Sequence, residues 1–129
     1  MSDSASRKQA LNQIWRSAID AVAGYQAVTN ALAEDPPFEP DLALAVGKAA
    51  VGMCQGALDH LPPCDALVVT KYAHADDDIR TRARVEVIES AHPVPDSQSI
   101  KAGNRFGSKP LSALIAKQYM FATGQRFRL

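Results

Sequence analysis

The first third of the chain has apolar residues at steps of three and four positions. They are Leu11, Ile14, Trp15, Ala18, Val22, Tyr25, Val28 and Leu32. This spacing predicts one amphipathic helix over residues 7–33, opened by a capping box from Ser6 to Gln9. The segment Glu34-Asp35-Pro36-Pro37 ends it, because prolines lack amide donors and disfavour helix in the residue before them. We expect Trp15 and Tyr25, which lie on the stripe, to be core residues.

Three later segments are short and apolar, as strands are. Leu42–Val46 and Ala66–Thr70 are continuous and largely apolar, which is typical of strands buried on both faces of a sheet. Val85–Glu89 alternates apolar and acidic residues, which favours a strand nearer an edge. Ala49–Leu61 is compatible with a helix between the first two strands. Strand, helix and strand in this order predict a βαβ unit and a parallel sheet.

The remaining segments add less regular structure. Residues 71–84 form either a loop or a short helix, and a helix is expected to begin at Asp96 and continue to about Asn104. Arg105–Pro110 breaks that pattern, and Leu111–Ala122 predicts one more helix. The predicted fold class is α/β, a Rossmann-like parallel sheet with a long N-terminal helix. Because three strands are few for such a sheet, we expect an incomplete, truncated domain.

Composition excludes several classes of protein. The chain has 129 residues, with 14 Lys and Arg against 14 Asp and Glu, so no basic field gathers nucleic acid. No apolar run approaches the ~20 residues of a membrane span, and the N-terminus lacks the apolar stretch of a secretory signal. Cys54 and Cys64 fit a reducing compartment, and no spacing of Cys and His suits zinc. We therefore expect a cytoplasmic protein with no metal ligands of this kind.

The polar residues that follow the predicted strands are the candidates for chemistry. Lys48 follows the first strand, Lys71, Tyr72 and His74 follow the second, and His92 follows the third. In a parallel sheet the carboxyl ends of the strands share one edge, where ligands bind. Three strands thus deliver cations or histidines to one edge, which suits a small anionic substrate such as a carboxylate or a phosphate.

Each candidate also has a purely structural interpretation. Lys48 either holds an anion at a helix N-terminus or is an exposed lysine there, and it is no P-loop lysine because Ala49 follows it and Leu42 replaces the first glycine. Residues 71–74 and His92 also suit polar loops. The run Asp76–Asp78 with Arg80, Arg82 and Arg84 is best explained as solvated charges that offset each other.

Three motifs together are more specific than any one of them. Ala45-Val46-Gly47-Lys48-Ala49-Ala50, Val68-Val69-Thr70-Lys71-Tyr72-Ala73-His74 and His92-Pro93-Val94-Pro95-Asp96 resemble, in order and spacing, the N-terminal domain of the MOFRL-type glycerate 2-kinases. Members of that family often carry the label hydroxypyruvate reductase. The likeness extends from the first helix to about Gly103.

The resemblance implies ATP-dependent phosphorylation of the 2-hydroxyl of glycerate, with ATP and Mg as cofactors, in a cleft between two α/β domains. The family's GKAA lysine falls on Lys48, which the resemblance makes the catalytic residue. Lys71, Tyr72, His74 and His92 would bind the substrate. Ala73 and Ala91 stand where the family has glycine, and if the backbone at Ala73 needs a positive φ, the alanine strains the loop.

The downstream sequence departs from the family pattern, which continues into a Ser-Gly-Gly-Gly-Ser loop and a C-terminal domain. We therefore expect residues 1–103 to be a partial N-terminal domain, residues 104–129 to be a segment that does not match the family, and this chain alone to be inactive. Two alternatives stay open: a half-enzyme completed by a second chain, and a non-catalytic α/β binding or assembly module. A sheet edge left unprotected by truncation would also favour self-association.

Overall fold

The computed structural model describes residues 2–34, 39–108 and 119–122. In chain order the elements are α1 (Ser2–Ala21), α2 (Gly24–Glu34), β1 (Leu42–Val46), α3 (Ala50–His60), β2 (Asp65–Lys71), α4 (Asp77–Thr81), β3 (Val85–Ser90), α5 (Ser97–Gly107) and β4 (Tyr119–Ala122). The α/β fold class and the parallel sheet are confirmed.

The sheet of the described residues has four parallel strands in the order β3-β2-β1-β4. Val46 of β1 pairs with Val69 of β2, and Lys71 of β2 pairs with Ser90 of β3. The three predicted strands and the edge position of β3 are confirmed. The expectation of three strands in all is wrong, because β4 adds a fourth beside β1.

The predicted helix over Leu111–Ala122 is wrong for its last four residues, which form β4. Ladder hydrogen bonds with β1 explain the difference, since Tyr119 pairs with Leu42 and Ala122 with Ala45. A four-residue apolar run fits either a strand or a helix turn, and the neighbouring strand decides between them. Residues 111–118 of the predicted helix lie outside the described residues.

The sheet divides the core into two apolar clusters, one on each face. On one face, α3 and Ile79 of α4 pack on small strand residues, including Ala43, Ala45, Ala66 and Val68. On the other, Ala102 and Phe106 of α5 pack against Leu42, Leu44, Leu67, Val69 and Ile88. Successive strand residues point to opposite faces, so these two clusters identify the face to which each residue of β1, β2 and β3 belongs.

The single helix predicted over residues 7–33 is in fact two helices, and α1 begins at Ser2, so Ser6 caps nothing. At the break, the N–H groups of Val22 and Ala23 each bond to the carbonyl three residues earlier, Ile19 O (3.2 Å) and Asp20 O (3.2 Å). The break allows α2 to pack on α3, with the Tyr25 hydroxyl donating to Asp59 Oδ2 at 3.0 Å. The predicted helix end at Glu34 is confirmed, and residues 35–38 lie outside the described residues.

The apolar stripe of the N-terminal segment is mostly not core. Trp15 is 63% exposed and Tyr25 39% exposed, and Leu11 and Ile14 are each 66% exposed. The expectation that Trp15 and Tyr25 belong to the core is therefore wrong. Of the two N-terminal helices, only α2 packs closely on α3, and its buried residue is Val28, so the periodicity indicated helix correctly without indicating burial.

The polar connection 71–84 contains the short helix α4, capped by the Asp76 side chain. Its charges are paired: Arg82 bridges Asp59 (2.6 Å) and Asp78 (2.8 Å). The predicted helix after Asp96 is confirmed as α5, which continues through Arg105–Gly107 where a break was expected. Among the helices within the described ranges, none combines the length and apolar character needed to cross a membrane.

Candidate functional site

The candidate site lies at the carboxyl edge of the sheet, where three turns meet. Lys48 follows β1, Tyr72 and His74 follow β2 directly after Lys71, and His92 follows β3. The turns are linked through the ladder, because Val46 pairs with Val69 and Lys71 with Ser90. The parallel topology thus places all five predicted site residues at one edge.

The turn after β1 is held to β2 by two hydrogen bonds at Gly47. The Gly47 N–H donates to Val69 O at 2.9 Å, and the buried Thr70 hydroxyl donates to Gly47 O at 3.0 Å. Gly47 has a φ of +113°, a conformation that glycine adopts without strain. These bonds fix the backbone next to Lys48, which is exposed.

The helix that follows Lys48 begins without a side-chain cap. The residue at the N-cap of α3 is Ala49, whose methyl group accepts no hydrogen bond from the first turn. The first amides of a helix carry partial positive charge that favours an anion. The partial positive charge of these amides therefore adds to the positive charge of the Lys48 ammonium beside them.

The turn after β2 is a four-residue turn from Lys71 to His74, closed by a bond from the His74 N–H to Lys71 O at 3.2 Å. Ala73 at its third position has a φ of +61°, in the left-handed region that glycine favours. The strain expected from alanine at this position is therefore present. The exposed Tyr72 and His74 project from this turn.

Tyr72 is tied to the start of α5. Its hydroxyl donates to Asp96 Oδ2 at 2.7 Å, while Asp96 Oδ1 accepts from the backbone N–H groups of Gln98 and Ser99, each at 3.1 Å. The bond to the carboxylate raises the pKa of the Tyr72 phenol. The same bond, together with the Ser99 N–H, holds the pKa of Asp96 below its usual range. Asp96 thus stays ionised and Tyr72 protonated near neutral pH.

Two acidic residues and one hydroxyl organise the site without having been predicted as site residues. Asp96 anchors Tyr72, Glu89 accepts from the N–H groups of His74 and Ala75, and Thr70 holds Gly47. A signal existed for Asp96, because Asp96-Ser97-Gln98-Ser99 has the form of a capping box. No comparable signal existed for Glu89, because only the pairing of β2 with β3 brings it to the turn after β2.

The lysine and histidine side chains of the edge have no partners within the described part of the chain. No hydrogen bond or ion pair there involves the side chains of Lys48, Lys71 or His92, and His74 is held through its backbone N–H alone. The nearby carboxylates Glu89 and Asp96 are already hydrogen-bonded. A small anion approaching this edge therefore meets two lysine ammonium groups that no carboxylate of the described residues neutralises.

An apolar groove lies beside these cations on the α5 face of the sheet. Its volume is about 480 Å³, and it is lined by Val46, Val69, Ser90, Ser99, Ala102, Gly103 and Phe106. Lys71 belongs to the same sheet face as Val69, two positions further along β2. The edge therefore offers space for a small molecule next to a lysine.

The donor set of the site does not suit a resident metal ion. Within the described ranges, no group of three or more His, Cys, Asp or Glu side chains is arranged to hold one. The two carboxylates closest to the turns, Glu89 and Asp96, have their oxygens bonded to N–H and O–H donors. These oxygens are therefore already used as hydrogen-bond acceptors.

The fold and the polar residues at the carboxyl edge of its sheet together define an open parallel α/β domain. Domains of this kind bind ligands outside the carboxyl ends of their strands. Residues 10–120 match the family described as "Domain of unknown function (DUF4147)", and the chain belongs to this family. The matched residues extend past Gly103, while the division of the chain at that residue stays a prediction.

Three curated relatives carry names that agree with the motif resemblance. The chain is 36% identical over 109 residues to the D-glycerate 2-kinase of Thermotoga maritima, covering 81% of this chain and 25% of that protein. It is 35% identical to the glycerate 2-kinase of Pyrococcus horikoshii (64% and 20% covered) and 34% identical to the putative hydroxypyruvate reductase of Agrobacterium vitis (78% and 22%). The chain thus spans a quarter or less of the length of these relatives.

A solved structure supports the same relation. The crystal structure of glycerate kinase from Thermotoga maritima matches with a TM-score of 0.69 and 33% identity, over 78% of this chain and 24% of that one. The resemblance to the glycerate 2-kinases is confirmed by sequence and by structure.

Proposed function

We propose that this chain forms the glycerate-binding side of a glycerate 2-kinase active site. Lys48 is the catalytic cation of this proposal, and Lys71, Tyr72, His74 and His92 bind the substrate. The observation that carries it is the convergence of three family motifs at one sheet edge, with lysines that no described carboxylate neutralises. Glycerate is the substrate class because the relatives at 35% and 36% identity are named for it.

The chemistry of the reaction explains this choice of residues. The 2-hydroxyl oxygen of glycerate forms a bond to the γ-phosphorus of ATP, the bond from that phosphorus to the β,γ-bridging oxygen breaks, and the hydroxyl proton is released. Glycerate and the transferring phosphoryl group are both anionic, so fixed cations orient the reactants and stabilise the transferred charge. Lys48 is suited to that role because the hydrogen bonds at Gly47 fix its backbone.

ATP and Mg enter this proposal through the family, as what a glycerate kinase uses. The 129 residues contain no Gly-rich loop of the kind that cradles nucleotide phosphates. We therefore expect residues from elsewhere, in a longer chain or a second one, to hold the nucleotide. The division into residues 1–103 and 104–129, and a cytoplasmic location, belong to the same proposal.

Calorimetric titration with D-glycerate tests the binding half of this proposal. The 129-residue chain is expected to bind D-glycerate, and Lys48→Ala is expected to weaken binding at least tenfold, about 1.4 kcal/mol, by removing the cation. The matched control is Lys101→Ala, an exposed lysine on α5, which should leave the affinity unchanged. A folded chain that shows no heat with D-glycerate would contradict the proposal and favour the non-catalytic binding or assembly module.

A coupled assay for ADP release tests whether this chain needs residues from elsewhere to transfer phosphate. With ATP, Mg and D-glycerate, the chain alone is expected to show no turnover above background, because nothing in its sequence resembles a phosphate cradle. Turnover by the isolated chain that Lys48→Ala abolishes would contradict that expectation, whereas turnover restored by a neighbouring reading frame would support a split enzyme.

A further inference from the structure

The strained turn of the candidate site is anchored by a carboxylate on β3. Glu89 Oε1 accepts from the backbone N–H of His74 at 3.1 Å and from that of Ala75 at 3.0 Å. Glu89 points to the α3 side of the sheet together with Val85 and Val87, whereas the groove lies on the α5 side. Glu89 therefore contacts the turn through its backbone from the face opposite the groove.

Arg80 completes this anchor. Its guanidinium bonds to Glu89 Oε2 at 2.5 Å, and its Nε donates to Ala75 O at 3.4 Å. Both oxygens of Glu89 are thus used, and Ala75 is held at its N–H and at its carbonyl. The Glu89 side chain is only 16% exposed, so water competes weakly for these charge-assisted bonds. The Ala75 N–H and Arg80 hold the pKa of Glu89 below its usual range.

The backbone of the turn needs such support. Ala73 has a φ of +61°, and this conformation costs a residue with a Cβ roughly 1–2 kcal/mol. The bond that closes the turn, from the His74 N–H to Lys71 O, is 3.2 Å long, and the same N–H is shared with Glu89. Without the carboxylate, the His74 N–H would keep only its 3.2 Å bond to Lys71 O, and the Ala75 N–H would lose its acceptor Glu89 Oε1.

We propose that Glu89 is the positioning residue of the candidate site. It holds the Lys71–His74 turn in its left-handed form through the amides of His74 and Ala75, and so fixes the directions of Lys71, Tyr72 and His74 without touching the ligand. Arg80 neutralises the carboxylate, so that its charge does not repel an anion at the edge. The effect on a ligand rests on the proposed function, whereas the effect on the turn does not.

The chain offers a matched control on the same strand. Glu86 also pairs with an arginine, Arg105, at 2.6 Å. Because it lies three positions earlier on β3, Glu86 faces the α5 side and has no bond to the turn. Glu86→Ala therefore removes the same group and the same type of ion pair without affecting the amides of His74 and Ala75.

Amide hydrogen exchange followed by NMR tests the effect on the turn. In Glu89→Ala the amides of His74 and Ala75 are expected to exchange at least tenfold faster, while that of Val68 in the centre of β2 keeps its rate. Glu89→Gln retains an acceptor oxygen and should fall between, and Glu86→Ala should match the wild type. Equal rates for His74 and Ala75 in all four proteins would overturn the proposal.

Two further measurements cover the cases in which Glu89→Ala does not fold or D-glycerate does not bind. If Glu89→Ala does not fold, Arg80→Met removes the partner of Glu89 Oε2 together with the 3.4 Å bond to Ala75 O, and it is expected to raise the exchange of the Ala75 amide severalfold. No change at that amide overturns the proposal. In calorimetry, Glu89→Ala should weaken D-glycerate about tenfold with Lys48 intact, and unaltered affinity would overturn the link to the ligand. If the wild type binds no D-glycerate, the proposed function fails while the exchange rates still decide the role of Glu89.

Discussion

At the turn after β2, the methyl group of one alanine makes the backbone conformation energetically unfavourable. Ala73 has a φ of +61°, which brings its Cβ close to backbone atoms that glycine would leave free. The sequence allowed this strain to be expected, because alanine stands where the resembling family has glycine. It did not reveal the compensation, since Glu89 is distant along the chain and is brought to the turn by the pairing of β2 with β3.

Ala73→Gly is expected to stabilise the chain by about 0.5–1 kcal/mol. Removing the Cβ relieves roughly 1–2 kcal/mol of strain, and the greater freedom of glycine in the unfolded chain returns part of it. Urea denaturation measures the change. The control is Ala75→Gly in the same loop, where a half-buried methyl packs on the core and its loss should destabilise. A neutral or destabilising Ala73→Gly would show that the turn is not strained.

At the scale of elements, α2 and α3 approach so closely that glycine is required at their contact. A Cβ on Gly56 would lie 2.7 Å from Tyr25 O and 3.2 Å from Tyr25 Cα. A Cβ on Gly24, the first residue of α2, would lie 2.7 Å from Cγ of the flexible Met53 side chain and 3.1 Å from Ala49 O. This close packing explains why the N-terminal segment breaks before Gly24: α2 docks on α3 and α1 does not continue along it.

Gly56→Ala is expected to lower the free energy of unfolding by about 1–3 kcal/mol, because the methyl meets rigid backbone. Gly103→Ala should instead raise it by about 0.5–1 kcal/mol, since a Cβ there meets nothing within 4 Å and alanine favours helix. Thermal melts of both variants measure the difference. Equal effects of the same sign would contradict the close contact of α2 with α3.

Helices and strands were predicted correctly where residues next to them in sequence set their ends. They were predicted wrongly where packing against distant residues sets those ends. Leu42–Val46 was predicted with its observed bounds because Pro40 and Gly47 enclose a continuous apolar run. The helix after Asp96 was predicted because it follows the proline turn at Pro93 and Pro95, and the structure adds that the Asp96 side chain caps it. Periodicity alone could not place the break before Gly24, since α1 and α2 share one stripe and only contact with α3 separates them.

At the scale of the whole molecule, the position of the candidate site was easier to predict from the sequence than the burial of the apolar side chains. The parallel order of β1, β2 and β3 follows from the βαβ pattern, and it brings Lys48, Lys71 and His92 to one edge. The exposure of Trp15 does not follow from any pattern, because an apolar stripe looks the same whether or not a partner covers it. Self-association through the sheet edge stays a prediction.

Binding of D-glycerate at the carboxyl edge of the sheet, beside Lys48, can be tested residue by residue. The ¹⁵N-labelled chain is titrated with D-glycerate and followed by ¹H–¹⁵N correlation spectra. We expect saturable shifts of the amides of Gly47, Lys48, Tyr72 and His74, with those of α1 unchanged and the response lost in Lys48→Ala. Saturable shifts confined to other parts of the chain, or a folded chain with no shifts, would contradict binding at this edge.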